Sequence, residues 1–290
     1  MPRSYGRADP SWRSLARQYW PQYAVTALIF ALMELVDPLQ PVPRFIYHES
    51  DAEYWRYSRP MVHDSRLPLW LVPCVSLLLP AAVILGAHLA GRASRREAHH
   101  ACLMLFFSVA LTGLVCNLLK SQVGRPRPDF MSRCWPSGGK PAWTPAGLPQ
   151  CEEGVSRQVL KTGMRSFPSV HAAWTAAGLG FLSLWLAGSL GCFAGLGAAP
   201  AQLALVLAPL ALAAWVGVTR LQENRHHPED VLGAQLLGLL LAALGYRQIF
   251  ASPFAVNAGR LNEELAAGSD AEQEVCEEPE AGDPSEPLVP

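Results

Sequence analysis

Charge is what this chain has least of. Only 16% of its 290 residues are Asp, Glu, Lys or Arg, against roughly 25% in an ordinary soluble domain. The net charge is −1, so no overall field points to nucleic acid or to an anionic surface as partner. Seven cysteines are too few and too scattered for a disulfide scaffold. Cys74, Cys102, Cys116 and Cys192 fall in or beside apolar blocks, where cysteine serves as a small hydrophobe. Cys134 and Cys151 share one polar stretch; they pair if it faces an oxidising compartment and are free thiols otherwise. Metal-site signatures are missing too: there is no HExxH and no cluster of aspartates.

Half of the residues are hydrophobic, and they come in blocks, not at the spacing of a water-facing core. Six blocks stand out, over 23–36, 67–90, 100–119, 169–186, 203–218 and 231–244. Several approach the roughly 20 helical residues that cross a bilayer. The expectation is an all-α polytopic membrane protein of about six transmembrane helices. Gly178, Gly180, Gly233, Gly238 and Gly245 suit close helix packing in lipid. Glu34 interrupts the first block, facing either a polar bundle interior or the interface. Residues 1–22 read as a cytosolic N-terminal segment, 23–250 as the membrane domain and 251–290 as an acidic disordered tail. Residues 120–168, rich in Pro, Gly and Arg, read as a long polar loop. His63, His88, His99 and His100 read as surface polar residues.

Three polar clusters flank the blocks: Lys120 to Arg127-Pro128, then Ser166-Phe-Pro168-Ser169-Val170-His171, then Thr219-Arg220 to His226-His227-Pro-Glu-Asp230. Counting crossings puts all three on one membrane face. Together they suffice for metal-free phosphoryl transfer. Lys120, Arg127 and Arg220 can hold nonbridging phosphate oxygens. A helix beginning at Pro168, Ser169 and Val170 offers free N–H groups and a hydroxyl. His226 and Asp230, four apart, share one side of a helical turn, so the carboxylate can fix the imidazole tautomer of a nucleophile. His171 can protonate the leaving alkoxide and then activate water. Three fixed cations would repel a divalent ion, so no metal and no cofactor is expected. His227 is given a structural or helix-capping part, and Arg125 and Arg165 are either phosphate helpers or solvated loop arginines.

These clusters resemble the motifs K-x6-RP, PSGH and SR-x5-H-x3-D of the type 2 phosphatidic acid phosphatase (PAP2) superfamily, and most of all its eukaryotic phospholipid phosphatase branch. The resemblance implies a PAP2/haloperoxidase-like helical bundle. It implies His226 as nucleophile, Asp230 as its orienter and His171 as acid, with Lys120, Arg127, Ser169, Arg220 and the backbone of Val170 on phosphate. It further implies a Mg²⁺-independent lipid phosphate phosphatase, acting on phosphatidic acid, lysophosphatidic acid or diacylglycerol pyrophosphate through a phosphohistidine. The bilayer and a phospholipid are its partners, with homo-oligomers left open. The site would be lumenal or extracellular, in the endoplasmic reticulum or plasma membrane, and the termini cytosolic. Two departures stand against the pattern. Thr219 replaces Ser and keeps a hydroxyl; Val170 replaces Gly, and a β-branched residue disfavours positive φ. That leaves two alternatives: an impaired lipid-binding scaffold, or a phosphatase for sphingoid or isoprenyl phosphates.

Overall fold

A computed structural model describes residues 9–42, 54–139, 141–145, 149–195 and 199–267. Arg3, Arg7 and the acidic stretch 268–290 lie outside the described residues. The chain is helical almost throughout. A short α1 (Trp12–Gln18) leads into α2 (Trp20–Val36). Then come α3 (Leu71–Pro73), a π-helical turn (Cys74–Leu78) and α4 (Leu79–Leu89), which form one span, followed by the long α5 (Arg95–Val123). Short α6 (Phe130–Cys134), strands β1 (Ala142–Trp143) and β2 (Pro149–Gln150), and α7 (Arg157–Gly163) come next. The chain closes with α8 (Val170–Ser189), α9 (Pro200–Gln222) and α10 (Pro228–Ile249).

Five of these units are long and apolar enough to cross a membrane, and the bent pair α1–α2 makes a sixth if it counts as one span. The six-span reading thus holds, with helices that outrun the apolar blocks because their polar ends are helical as well. α5 shows why. Ser94 Oγ accepts the Glu97 N–H at 3.0 Å while Glu97 takes the Ser94 N–H at 2.8 Å, a reciprocal cap placed well before the apolar run. At the other end Gly124, at φ 57°, terminates α5 in the left-handed conformation.

α8 is the central helix, packed on α5, α9, α10 and the 71–89 span. Its small residues permit this: a Cβ on Gly178 would strike the carbonyl oxygen of Ser76 in the π-helical turn. Leu105, Val109, Ala177, Phe181, Ala242 and Tyr246 form the core between α5, α8 and α10. Glu34 is exposed near the end of α2, so it belongs to the interface and not to the bundle interior.

Three sequence readings need correction. Residues 124–169 are no simple loop but a folded cap. Tyr57, Phe130, Met131 and Trp135 pack together there, a disulfide joins Cys134 to Cys151, and buried Arg133 grips Asp129 at 2.8 and 2.6 Å. Its apolar residues are spaced too irregularly among Pro and Gly to show a period. The tail does not begin at 251 either. Leu261 is fully buried and bridges to Phe250, and residues 262–267 are helical. Lastly, His99 and His100 are buried against Tyr19 and Tyr23. There Glu263 joins Tyr19 and Arg96, so the end of the described chain docks on the membrane face opposite the cap.

Candidate active site

The three polar clusters meet where α5 and α9 end and α8 and α10 begin. Backbone hydrogen bonds bind them: Ser166 N–H donates to the Arg125 carbonyl at 2.9 Å, and Ser169 N–H to the Asp230 carbonyl at 3.1 Å. A strap, residues 54–68, crosses the same end. Arg59 N–H donates to the Pro128 carbonyl at 2.9 Å, Met131 N–H to Tyr57 at 3.0 Å, and Asn224 to the Pro60 carbonyl at 3.1 Å.

His226 lies at the centre, 5% exposed. Its Nδ1 is 2.7 Å from the Ser166 carbonyl oxygen. A carbonyl can only accept, so Nδ1 carries the proton and Nε2 keeps its lone pair. Burial, reinforced by the charges of Arg127 and Lys120 and by His171, holds the imidazole well below its ordinary 6.5. It is therefore neutral at pH 7. His171, at the start of α8, lies within electrostatic reach of Arg220, Lys120 and Arg127. Lys120, Arg127, Arg220, His171 and His226 are thus brought to one place.

The donors around it are of two kinds. Arg127 Nε and Ser169 Oγ are buried with no partner among the described residues, an arrangement that costs free energy unless something else accepts from them. Burial, with Arg133 nearby, lowers Arg127 to about 10, so it remains charged at pH 7. Arg220, in contrast, is held on several sides. Its Nε and Nη2 donate to Thr219 Oγ1, both at 3.1 Å, Nη2 also to Glu223 at 3.0 Å, and Nη1 to Ser65 Oγ at 3.3 Å.

Two features of the second and third clusters depart from the sequence reading. α8 begins at Val170, with Ser169 as its cap and Pro168 outside. Asn224 is the one described non-glycine residue with positive φ, so Val170 adopts ordinary helical backbone and offers its N–H without strain. Its side chain packs on Cys116, Ala172 and Val231. The backbone at this position therefore does not require a glycine.

Asp230, moreover, does not hold the ring of His226. α10 begins at Pro228 with His227 as its cap, which leaves His226 before the helix and breaks the assumed spacing on one turn. The carboxylate instead accepts from His227 N–H at 2.9 Å, lies 3.1 Å from His227 Nδ1, accepts from Ser166 Oγ at 2.5 Å and pairs with Arg125 at 2.7 Å. Asp230 thus reaches His226 one residue removed, through Ser166. That link was missed in the sequence because the group on His226 is a backbone carbonyl, which no residue type announces. Arg125 is committed to Asp230, and Arg165 pairs with Asp37 at 2.9 Å, while its Nε is buried with no partner among the described residues and its charge lies near Lys120. Glu223 and Ser65 were missed as well. Among the described residues no group of three His, Cys, Asp or Glu is arranged to hold a metal ion.

Comparison with known proteins gives the same picture from another direction. Residues 101–253 match the PAP2 superfamily. The chain is 36% identical over 241 residues to "Lipid phosphate phosphatase 2" of Arabidopsis thaliana, covering 83% of this chain and 80% of that protein. It is 40% identical over 191 residues to "Lipid phosphate phosphatase 1" of the same plant, covering 66% and 57%. With "Probable diacylglycerol pyrophosphate phosphatase 1" of Schizosaccharomyces pombe it shares 36% identity over 195 residues, 67% of this chain and 68% of that one. No solved structure matches the chain.

Proposed function

The chain belongs to the PAP2 superfamily, and from that premise we propose that this multi-pass membrane phosphatase removes phosphate from phosphatidic acid and related lipid phosphates, through a phosphohistidine and without Mg²⁺. The observation that carries the reading is two buried donors without partners among the described residues, Arg127 Nε and Ser169 Oγ, near a buried neutral imidazole. A phosphate would satisfy both. The names of the relatives supply the lipid.

The chemistry follows from the geometry. Lys120, Arg127 and Arg220, with Ser169 and the Val170 N–H, hold the equatorial oxygens and stabilise the charge that gathers on them in the transition state. His226 Nε2 attacks phosphorus in line with the ester oxygen, while Nδ1 keeps its proton, hydrogen-bonded to the Ser166 carbonyl. As the P–O bond breaks, His171 gives its proton to the alkoxide, and the alcohol leaves as diacylglycerol. His171 then takes a proton from water, which attacks the phosphohistidine; the P–N bond breaks and inorganic phosphate is released. Asp230 fixes Ser166, and through it His226.

The membrane domain is proposed to run to about residue 267, with the site at the boundary between lipid and water, so that a lipid arrives sideways from the bilayer. The Cys134–Cys151 disulfide on the same side supports a lumenal or extracellular site, since such bonds persist in oxidising compartments. Purified protein in detergent should release phosphate from phosphatidate in excess EDTA, and His226→Ala should stop it. Turnover that survives that substitution, or that needs added Mg²⁺, defeats the mechanism.

A further inference from the structure

Glu223 falls at a variable position of the third motif, between Arg220 and His226, yet it is as heavily engaged as Asp230. It is 2% exposed, buried where an uncompensated carboxylate would be costly. Its Oε1 accepts from Arg220 Nη2 at 3.0 Å and from Arg66 N–H at 2.7 Å. Its Oε2 takes the Ser65 hydroxyl at 3.1 Å and lies 3.1 Å from Arg225 Nε. Two of these partners belong to the strap, one to the last turn of α9 and one to the α9–α10 connection. The strap in turn reaches both kinds of site residue. Ser65 Oγ accepts from Arg220 Nη1, the Leu67 backbone hydrogen-bonds the His171 ring, and the Val62 carbonyl takes Arg225 Nη2 at 3.1 Å.

We propose that Glu223 is a positioning residue that latches the 65–67 strap onto Arg220 and thereby sets both the phosphate-binding guanidinium and the imidazole of His171. The inference rests on the functional reading above. A long arginine side chain has many rotamers, and its forked geometry helps only when it is pre-organised. Here Thr219, Ser65 and Glu223 together orient the fork, and Glu223 alone also fixes the backbone that carries Ser65. Its charge offsets the guanidiniums of Arg220 and Arg225, which lowers the repulsion among the cations gathered around phosphate. Glu223→Gln is nearly isosteric, but it places an amide donor where an acceptor is needed, facing a guanidinium or a backbone N–H.

The test uses the full-length protein in detergent, with binding of inorganic phosphate by calorimetry and turnover of phosphatidate measured separately. Glu223→Gln should lower kcat by about a hundredfold, the scale of a slight misplacement of catalytic groups, and weaken phosphate binding about tenfold. In a double-mutant cycle, Arg220→Gln with Glu223→Gln should lose no more than the worse single variant, because the two act as a unit. A purely structural part would give additive losses and a lowered melting temperature at unchanged phosphate affinity. Either that pattern or wild-type behaviour of Glu223→Gln overturns the proposal. Should Glu223→Gln fail to fold, Ser65→Ala, which cuts the strap from Arg220 while sparing the ion pair, should still weaken phosphate binding about tenfold; unchanged affinity there overturns it equally. Wild-type protein that binds phosphate but leaves phosphatidate intact would count against the lipid reading and not against the latch.

Discussion

His226 is an imidazole whose state is set by what surrounds it. One nitrogen is committed to a carbonyl at 2.7 Å, and burial with neighbouring cations disfavours a second proton. The folded value lies below the 6.5 of a free imidazole, so protonation comes only at lower pH. The acid limb of kcat/KM, which reports the free enzyme, is therefore expected below pH 6.5. An acid limb above 6.5 would mean that the nucleophile is not held neutral as described. The same sign governs stability. As pH falls through 6.5 the unfolded chain takes its proton first, so the contribution of this group is whole above that point and is lost as pH drops toward the folded value. At Asp230 the expected contact is not the one made. The motif singles it out as a candidate, but its partners are Ser166, His227 and Arg125, because α10 starts one residue too late for His226 to share its first turn.

Among elements, the cap was the least legible. Its α6, β1–β2 hairpin and α7 are all short, below the length at which periodicity separates a helix from a loop. What holds it is mostly non-local: the apolar cluster of Tyr57 with Phe130 and Trp135, and a disulfide across 17 residues. Cross-linking a loop of that size restricts the unfolded chain by about 3 kcal/mol. The Cys134→Ser, Cys151→Ser pair should lower the melting temperature of the purified protein by several degrees, with turnover retained well below the melt. An unchanged melting temperature would show that the bridge does not constrain the cap. The long helices were legible for the opposite reason. Each carries a long apolar run, broken in α2 only by Glu34 near its end, and several ends are marked by Ser94 with Glu97, Gly124, Pro200 and Pro228.

For the whole molecule, helix direction puts every site residue at one end. The opposite end holds Arg92, Arg95 and Arg96 between the 71–89 span and α5, and the docked segment that contains Glu263. Basic residues occupy both ends, so the positive-inside rule does not choose an orientation; the disulfide supports the proposed one. A membrane-impermeant thiol reagent applied to intact cells or sealed vesicles is the direct measure. Ser137→Cys, exposed on the cap, should label from the lumenal or extracellular side, and Arg92→Cys, exposed at the other end, only after permeabilisation. The reverse pattern would put the site in the cytosol and remove the support that the disulfide lends to the reading.

By itself the sequence determined the family of this protein, its helical membrane class and the motifs that mark its candidate site. Those follow from apolar run lengths and from motifs whose members lie within a few residues of each other, where spacing along the chain sets spacing in space. The contacts of Asp230, the carbonyl on His226, the burial of His99 and His100, and the latch of Glu223 on Ser65 and Arg66 were decided by the tertiary structure alone. Each joins groups distant in sequence or uses the backbone, and only the packing of α8 among its neighbours, with the strap and cap closed over its end, brings them within hydrogen-bonding distance.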